Sequence, residues 1–118
     1  MRKLILKRKK TFVASFGKIR AFIEDEQGEL TLGGVKCREI GSLKNGGTGE
    51  YDITTESVYL FVVFSKVLPN EYHSCYQVPA GDETVELFTA PKINPIKGNP
   101  FEIFSKQDLI DLVKTDGW

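Results

Sequence analysis

A chain of 118 residues has the length of one domain with one hydrophobic core. Its 41% hydrophobic and 27% charged residues exclude a wholly disordered chain, a collagen and a coiled coil. The formal net charge is zero, from 16 bases and 16 acids, but the two signs are segregated along the chain.

The first 20 residues carry eight bases and no acid: Arg2, Lys3, Lys7, Arg8, Lys9, Lys10, Lys18 and Arg20. The segment is +8 and the rest of the chain −8. Two readings follow. A basic strand can be neutralised by acidic strands beside it, since opposite charges across a sheet attract. Alternatively, the bases form a face for phosphate, nucleic acid or an acidic partner. The first is the simpler.

Near the start, Leu4-Ile5-Leu6 is the one apolar run, shorter than the roughly 7–15 residues of a secretion signal. No stretch reaches the roughly 18 apolar residues of a membrane helix. Cys37 and Cys75 are too few for a disulfide framework and lack metal-binding spacing. Free thiols, a cytoplasmic location and no membrane span are the expectation.

In chain order, residues 2–10 read as a basic strand with the character of a sheet edge. Leu4, Leu6 and Arg8 share one face, and Ile5 and Lys7 the other. Phe12–Phe16 follows. Residues 18–24 alternate, with Ile19, Ala21 and Ile23 opposite Arg20, Phe22 and Glu24. Asp25-Glu26-Gln27-Gly28 is a polar turn. Leu30–Leu32 and Val35–Ile40 are strands around Gly33-Gly34. Asn45-Gly46 is a hairpin signal because both residues tolerate positive φ. A strand through Tyr51 and Ile53 comes next. Residues 57–64 are apolar enough for a central strand buried on both faces. Pro69-Asn70 ends it.

Residues 71–78 are a further strand with Tyr72, Ser74, Tyr76 and Val78 on one side. Pro79–Asp82 turns into a strand at 84–89. Three prolines and two Asn-Pro steps make 90–100 an extended loop. Residues 101–104 form a last short strand. Ser105 and Asp108 have capping-box spacing before a helix at about 106–114. About eight short strands with turns between them predict a single all-β domain over residues 1–118, an antiparallel β-sandwich with one C-terminal helix; a small β-barrel is the alternative.

Chemistry-bearing constellations are few. His73, the sole histidine, is two residues from Cys75, so a strand would place both on one face. That makes them the candidates for a small hydrolase or lyase, although an activated pair also needs an orienting group and an oxyanion hole. One histidine and two distant cysteines do not make a zinc site. The acids Glu24, Asp25, Glu26 and Glu29 lack the spacing of a calcium loop. The glycines at 41, 46, 47 and 49 precede no Gly-Lys-Ser/Thr and no helix, so turns explain them better than a phosphate loop. No cofactor and no metal are expected.

Lys7, Arg8, Lys9 and Lys10 near Phe12 and Phe16, with Arg20 beside Phe22, have the interleaving of a single-strand nucleic-acid surface. Tyr72 and Tyr76, and also Tyr51 and Tyr59, are the alternative, a face for a protein or a sugar.

Ile40-Gly41-Ser42-Leu43-Lys44-Asn45-Gly46, then Glu50-Tyr51-Asp52-Ile53, then Val58–Val63, resembles the strand, "G-x-L-x-N-G" hairpin, strand and apolar strand of small bacterial β-sandwich modules of the PEGA type. Arg8-Lys9-Lys10-Thr11-Phe12 is similar to the opening of bacterial proteins carrying such sandwiches. The chain departs from the pattern at Thr54-Thr55-Glu56-Ser57, where a proline-glycine-histidine turn is usual, and it lacks the closing glycine-tyrosine. The resemblance implies a sandwich with a non-catalytic role. The expectation is therefore a bacterial, non-enzymatic binding or interaction module, with a protein partner or a second copy as homodimer. A nucleic-acid-binding barrel and a hydrolase around His73 are the alternatives. The binding candidates are Lys7, Arg8, Lys9, Lys10, Arg20, Tyr72 and Tyr76.

Overall fold

The computed structural model describes residues 1–11, 17–64, 74–91 and 101–108. Among these, nine strands follow in order: β1 (Arg2–Arg8), β2 (Ile19–Glu24), β3 (Leu30–Leu32), β4 (Val35–Leu43), β5 (Thr48–Ile53), β6 (Val58–Phe64), β7 (Ser74–Val78), β8 (Val85–Pro91) and β9 (Phe101–Ser105). They form a four-stranded sheet, β5-β1-β8-β9, and a five-stranded sheet, β3-β4-β2-β6-β7. The two remain separate, so the fold is the expected sandwich and not a barrel. The β1–β8 pair is parallel and the other described pairs are antiparallel.

Strand alternation builds the core. From the four-stranded sheet, Leu4, Leu6, Ile53, Leu87 and Phe101 turn inward. They meet Ile19, Ala21, Ile23, Leu43, Val58, Leu60, Val62 and Val78 of the other sheet. Each of the valine, leucine, isoleucine and phenylalanine side chains, fully buried, contributes roughly 1.5–3 kcal/mol against the entropy of ordering the chain. The apolar run of β6 is buried on both faces, as its composition predicts. Its outward Phe61 and Val63 join Phe22, Leu32 and Cys37 in a second buried cluster.

Three expectations change. The first strand is not an edge: β1 lies between β5 and β8. Lysines discourage pairing at an open edge, but opposite charges across strands favour it, and here both flanks supply an acid. Lys3 Nζ lies 2.9 Å from Asp52 Oδ1 on β5, and Lys7 Nζ 2.9 Å from Glu86 Oε1 on β8. The second change concerns Asn45-Gly46. Gly46 takes φ 77°, and Gly47 N–H donates to the Lys44 carbonyl at 2.8 Å, as in a tight turn. Yet β4 pairs with β2 and β5 with β1, so the turn passes the chain from one sheet to the other instead of closing a hairpin.

The third change concerns the glycines at 41 and 49. A Cβ at Gly41 would stand 2.8 Å from the Tyr51 ring, and one at Gly49 would overlap its hydroxyl. Both positions make room for Tyr51, which packs on the core.

Ser105 and Asp108 make the reciprocal bonds of a capping box. Ser105 N–H donates to Asp108 Oδ2 at 3.0 Å, and Asp108 N–H to Ser105 Oγ at 3.1 Å. Residues 106–108 are helical; 109–114 lie outside the described residues, as do Phe12–Phe16, residues 71–73 of the predicted strand and 92–100 of the predicted loop.

Candidate functional site

The bases of β1 sort by strand parity. Even positions face the core, and odd positions face the outside of the four-stranded sheet. Arg2 and Arg8 therefore enter the sandwich beside Leu4 and Leu6, and are 6% and 3% exposed. Arg8 Nη1 donates to the carbonyls of Gly17 and Leu43, both at 2.8 Å, and its guanidinium lies 4.8 Å from the Phe101 ring centre. Burial lowers its pKa. At the other end of the strand, Arg2 donates to the carbonyls of Thr54, Glu56 and Pro79 at 2.9, 3.2 and 2.7 Å. Both guanidiniums hold loops in place.

Outward residues are partly neutralised. Asp52, bonded to Lys3 and adding its charge, raises the Lys3 pKa. Lys7 pulls Glu86 below the usual carboxylate value, first through its hydrogen bond; Lys106 Nζ, at 3.8 Å, assists. Lys7 also lies 5.8 Å from the centre of the Phe88 ring.

Beyond Lys7 the chain stays attached to the body. Arg8 N–H donates to the Gly47 carbonyl and Lys9 N–H to that of Thr89, at 2.9 and 3.0 Å. Thr11 and Asn45 then make a two-bond ring. Thr11 N–H donates to Asn45 Oδ1 at 3.0 Å, and Asn45 Nδ2 to the Thr11 carbonyl at 2.9 Å. These bonds set the Lys9-Lys10 step against the β4–β5 turn. The result is an open groove of about 390 Å³ lined by Lys7, Arg8, Lys9, Lys10, Gly46, Thr48 and Phe88. Among the described residues four consecutive bases line it and no acid does, with the Arg8 guanidinium turned to the core and Lys7 paired with Glu86.

Arg20 is elsewhere, on the outer face of the five-stranded sheet. Its Nη2 is 2.6 Å from Glu39 Oε1, and it lies over Phe22 at 5.0 Å. The depression there also contains Arg38, paired with Asp25 at 2.9 Å, so its bases are matched by acids. Phe22, read as a stacking surface, is 1% exposed and belongs to the second apolar cluster.

On β7, Tyr76 packs partly buried against the core, so the side it shares with Ser74 and Val78 faces inward. Tyr72 and His73 lie outside the described residues. Cys75 is exposed at the surface; partial desolvation of its sulfur and then the charge of Glu24 push its thiol pKa up. That is opposite to the shift of an activated nucleophile. Among the described residues no group of three or more His, Cys, Asp or Glu side chains could hold a metal, and no helix is long and apolar enough to cross a membrane.

Three contributors were missed in the sequence: Asn45, Thr48 and Phe88. Asn45 reads locally as a turn residue, and its bond to Thr11, 34 positions away, leaves no pattern in the sequence. Thr48 and Phe88 reach the groove only through pairing with Lys7 from either side. No protein-family model matches the chain, and no curated protein matches it.

Proposed function

We propose that the chain is a non-enzymatic binding module, and that the basic groove at the end of β1 takes a carboxylate-rich segment of a protein partner. One observation carries this reading: Lys9 and Lys10 line the groove beside Lys7, which Glu86 pairs, and no acid is among the described residues that line it. Similarity to PEGA-type sandwiches agrees with a non-catalytic role. A nucleic-acid reading needs aromatic rings open to stacking. Among the described residues, Phe22, Phe61, Phe88 and Phe101 are buried, and Met1 is the one exposed large hydrophobic.

Fluorescence anisotropy tests the proposal, with a labelled oligoglutamate peptide and labelled oligothymidylate of equal charge. Salt-sensitive binding of the peptide is expected, weakened about tenfold by the K9A/K10A double variant, which loses roughly 1.4 kcal/mol of attraction. Absence of peptide binding at low salt, or binding unchanged in that variant, overturns it. Tighter oligothymidylate binding transfers the site to nucleic acid.

A further inference from the structure

We propose that the acidic segment taken by the basic groove continues as an extended strand along the edge of β5, antiparallel to it, with a basic residue facing Glu50. The inference rests on the reading of that groove and deepens it to the shape and charge pattern of what enters. Among the described residues four strands are sheet edges. β3 has three residues and ends on the Gly33-Gly34 turn. β7 and β9 meet each other, where the Ser74 hydroxyl donates to the Phe101 carbonyl. β5 has six residues and pairs with β1 along one side. The turns before and after β5 are both within the described residues, and among those residues no backbone bond reaches its other side. Such a row of N–H and C=O groups is a template for an added strand.

Groove and edge are continuous. Thr48 lines the groove and is the first residue of β5. A Cβ on Gly46 would stand 3.2 Å from the Lys10 Cβ, so Lys10 lies against the turn that leads into the strand. Along β5 the charge then changes sign. Thr48, Glu50 and Asp52 are exposed on the outer face, where strand parity puts them. Among the described residues Asp52 is ion-paired, with Lys3, and Glu50 is not. Facing residues of an antiparallel pair share one side of the sheet. The complement therefore reads base, spacer, small polar residue, spacer, acid. The base stands opposite Glu50, the small residue opposite Thr48, and the acid at the Lys9-Lys10 step. A second copy of β5 carries two acids and no base, so it does not supply this pattern.

Fluorescence anisotropy with two labelled peptides tests the proposal. Oligoglutamate reads the groove alone, and Thr-Val-Lys-Val-Thr-Val-Glu-Glu carries the pattern. The patterned peptide should bind about tenfold more tightly, although it has fewer acids. Glu50→Lys, at an exposed position, should remove most of that gain and should not weaken oligoglutamate. Backbone N-methylation of the patterned peptide separates strand addition from charge, on the wild-type protein. Methyl groups on alternate residues of one parity block the edge and should abolish the gain, and those on the other parity should leave it. Equal affinity of the two peptides, a gain that survives both methylation patterns, or a gain untouched by Glu50→Lys overturns strand addition, while oligoglutamate binding keeps the groove. A patterned peptide that binds with its methylation parity, beside an oligoglutamate that does not bind, overturns the groove reading and keeps the strand. Binding of neither peptide overturns both.

Discussion

The two ends of β1 use the same residue type and differ in what lies beyond it. At each end an arginine turns into the sandwich and donates to backbone carbonyls that the sheets leave over. Around Arg2 the carbonyls of Thr54, Glu56 and Pro79 take up its donors and close that end. Beyond Arg8 the chain continues through Lys9 and Lys10 over the β4–β5 turn, and a groove opens there. A run of bases is thus not one feature. Arg2 and Arg8 are internal donors, Lys3 and Lys7 are cross-strand ion pairs, and the Lys9-Lys10 step lines a surface.

Substituting the two arginines should split this comparison most strongly. Arg8→Ala strips the donor from the Gly17 and Leu43 carbonyls and removes the cation over Phe101. A loss of about 3 kcal/mol in urea unfolding is expected, because water replaces buried bonds poorly. Arg2→Ala should cost less, about 1–2 kcal/mol, since its three acceptors are only part-buried and water can reach them. An Arg2 effect larger than that of Arg8 would break the comparison.

Asn45→Ala removes both bonds to Thr11 and should cost about 1–2 kcal/mol. Hydrogen exchange should quicken at residues 9–11 and stay unchanged at the Arg2 end. Equal quickening at both ends would mean that Asn45 supports the whole sandwich and not the groove alone.

The smallest stability changes belong to the outward charges. Glu86 has a folded pKa below its ordinary value of 4.5, chiefly because Lys7 bonds it. Its contribution is therefore fully present above that ordinary value and is lost as pH falls through the folded pKa. Glu86→Gln should lower Tm by about 1–4 °C at neutral pH, with the gap to wild type closing in acid. A gap that widens in acid would reverse the assignment. K9A/K10A should leave stability within about 0.5 kcal/mol while weakening peptide binding, which separates the groove from the scaffold.

Much of the sandwich is legible from strand periodicity. Alternation alone places Leu4, Leu6, Arg8, Ile19, Ala21 and Ile23 on their faces, and the capping box shows in the Ser105–Asp108 spacing. Free thiols at Cys37 and Cys75 also follow from the sequence. These are local properties, set by the two-residue repeat of a strand and by backbone bonds within one turn.

Strand order is a different kind of fact. The sequence cannot tell that β1 runs parallel to β8, with Leu4 beside Val85, or that the turn after β4 changes sheets. Those outcomes depend on which faces bury the most apolar surface together, a sum over the whole chain. The same sum brings Asn45 to Thr11, clears space at Gly41 and Gly49 for Tyr51, and sets Thr48 and Phe88 beside Lys7. Local sequence chose the faces of each strand; only the packed sheets decided which charges would meet acids, which would be buried, and which would line the groove.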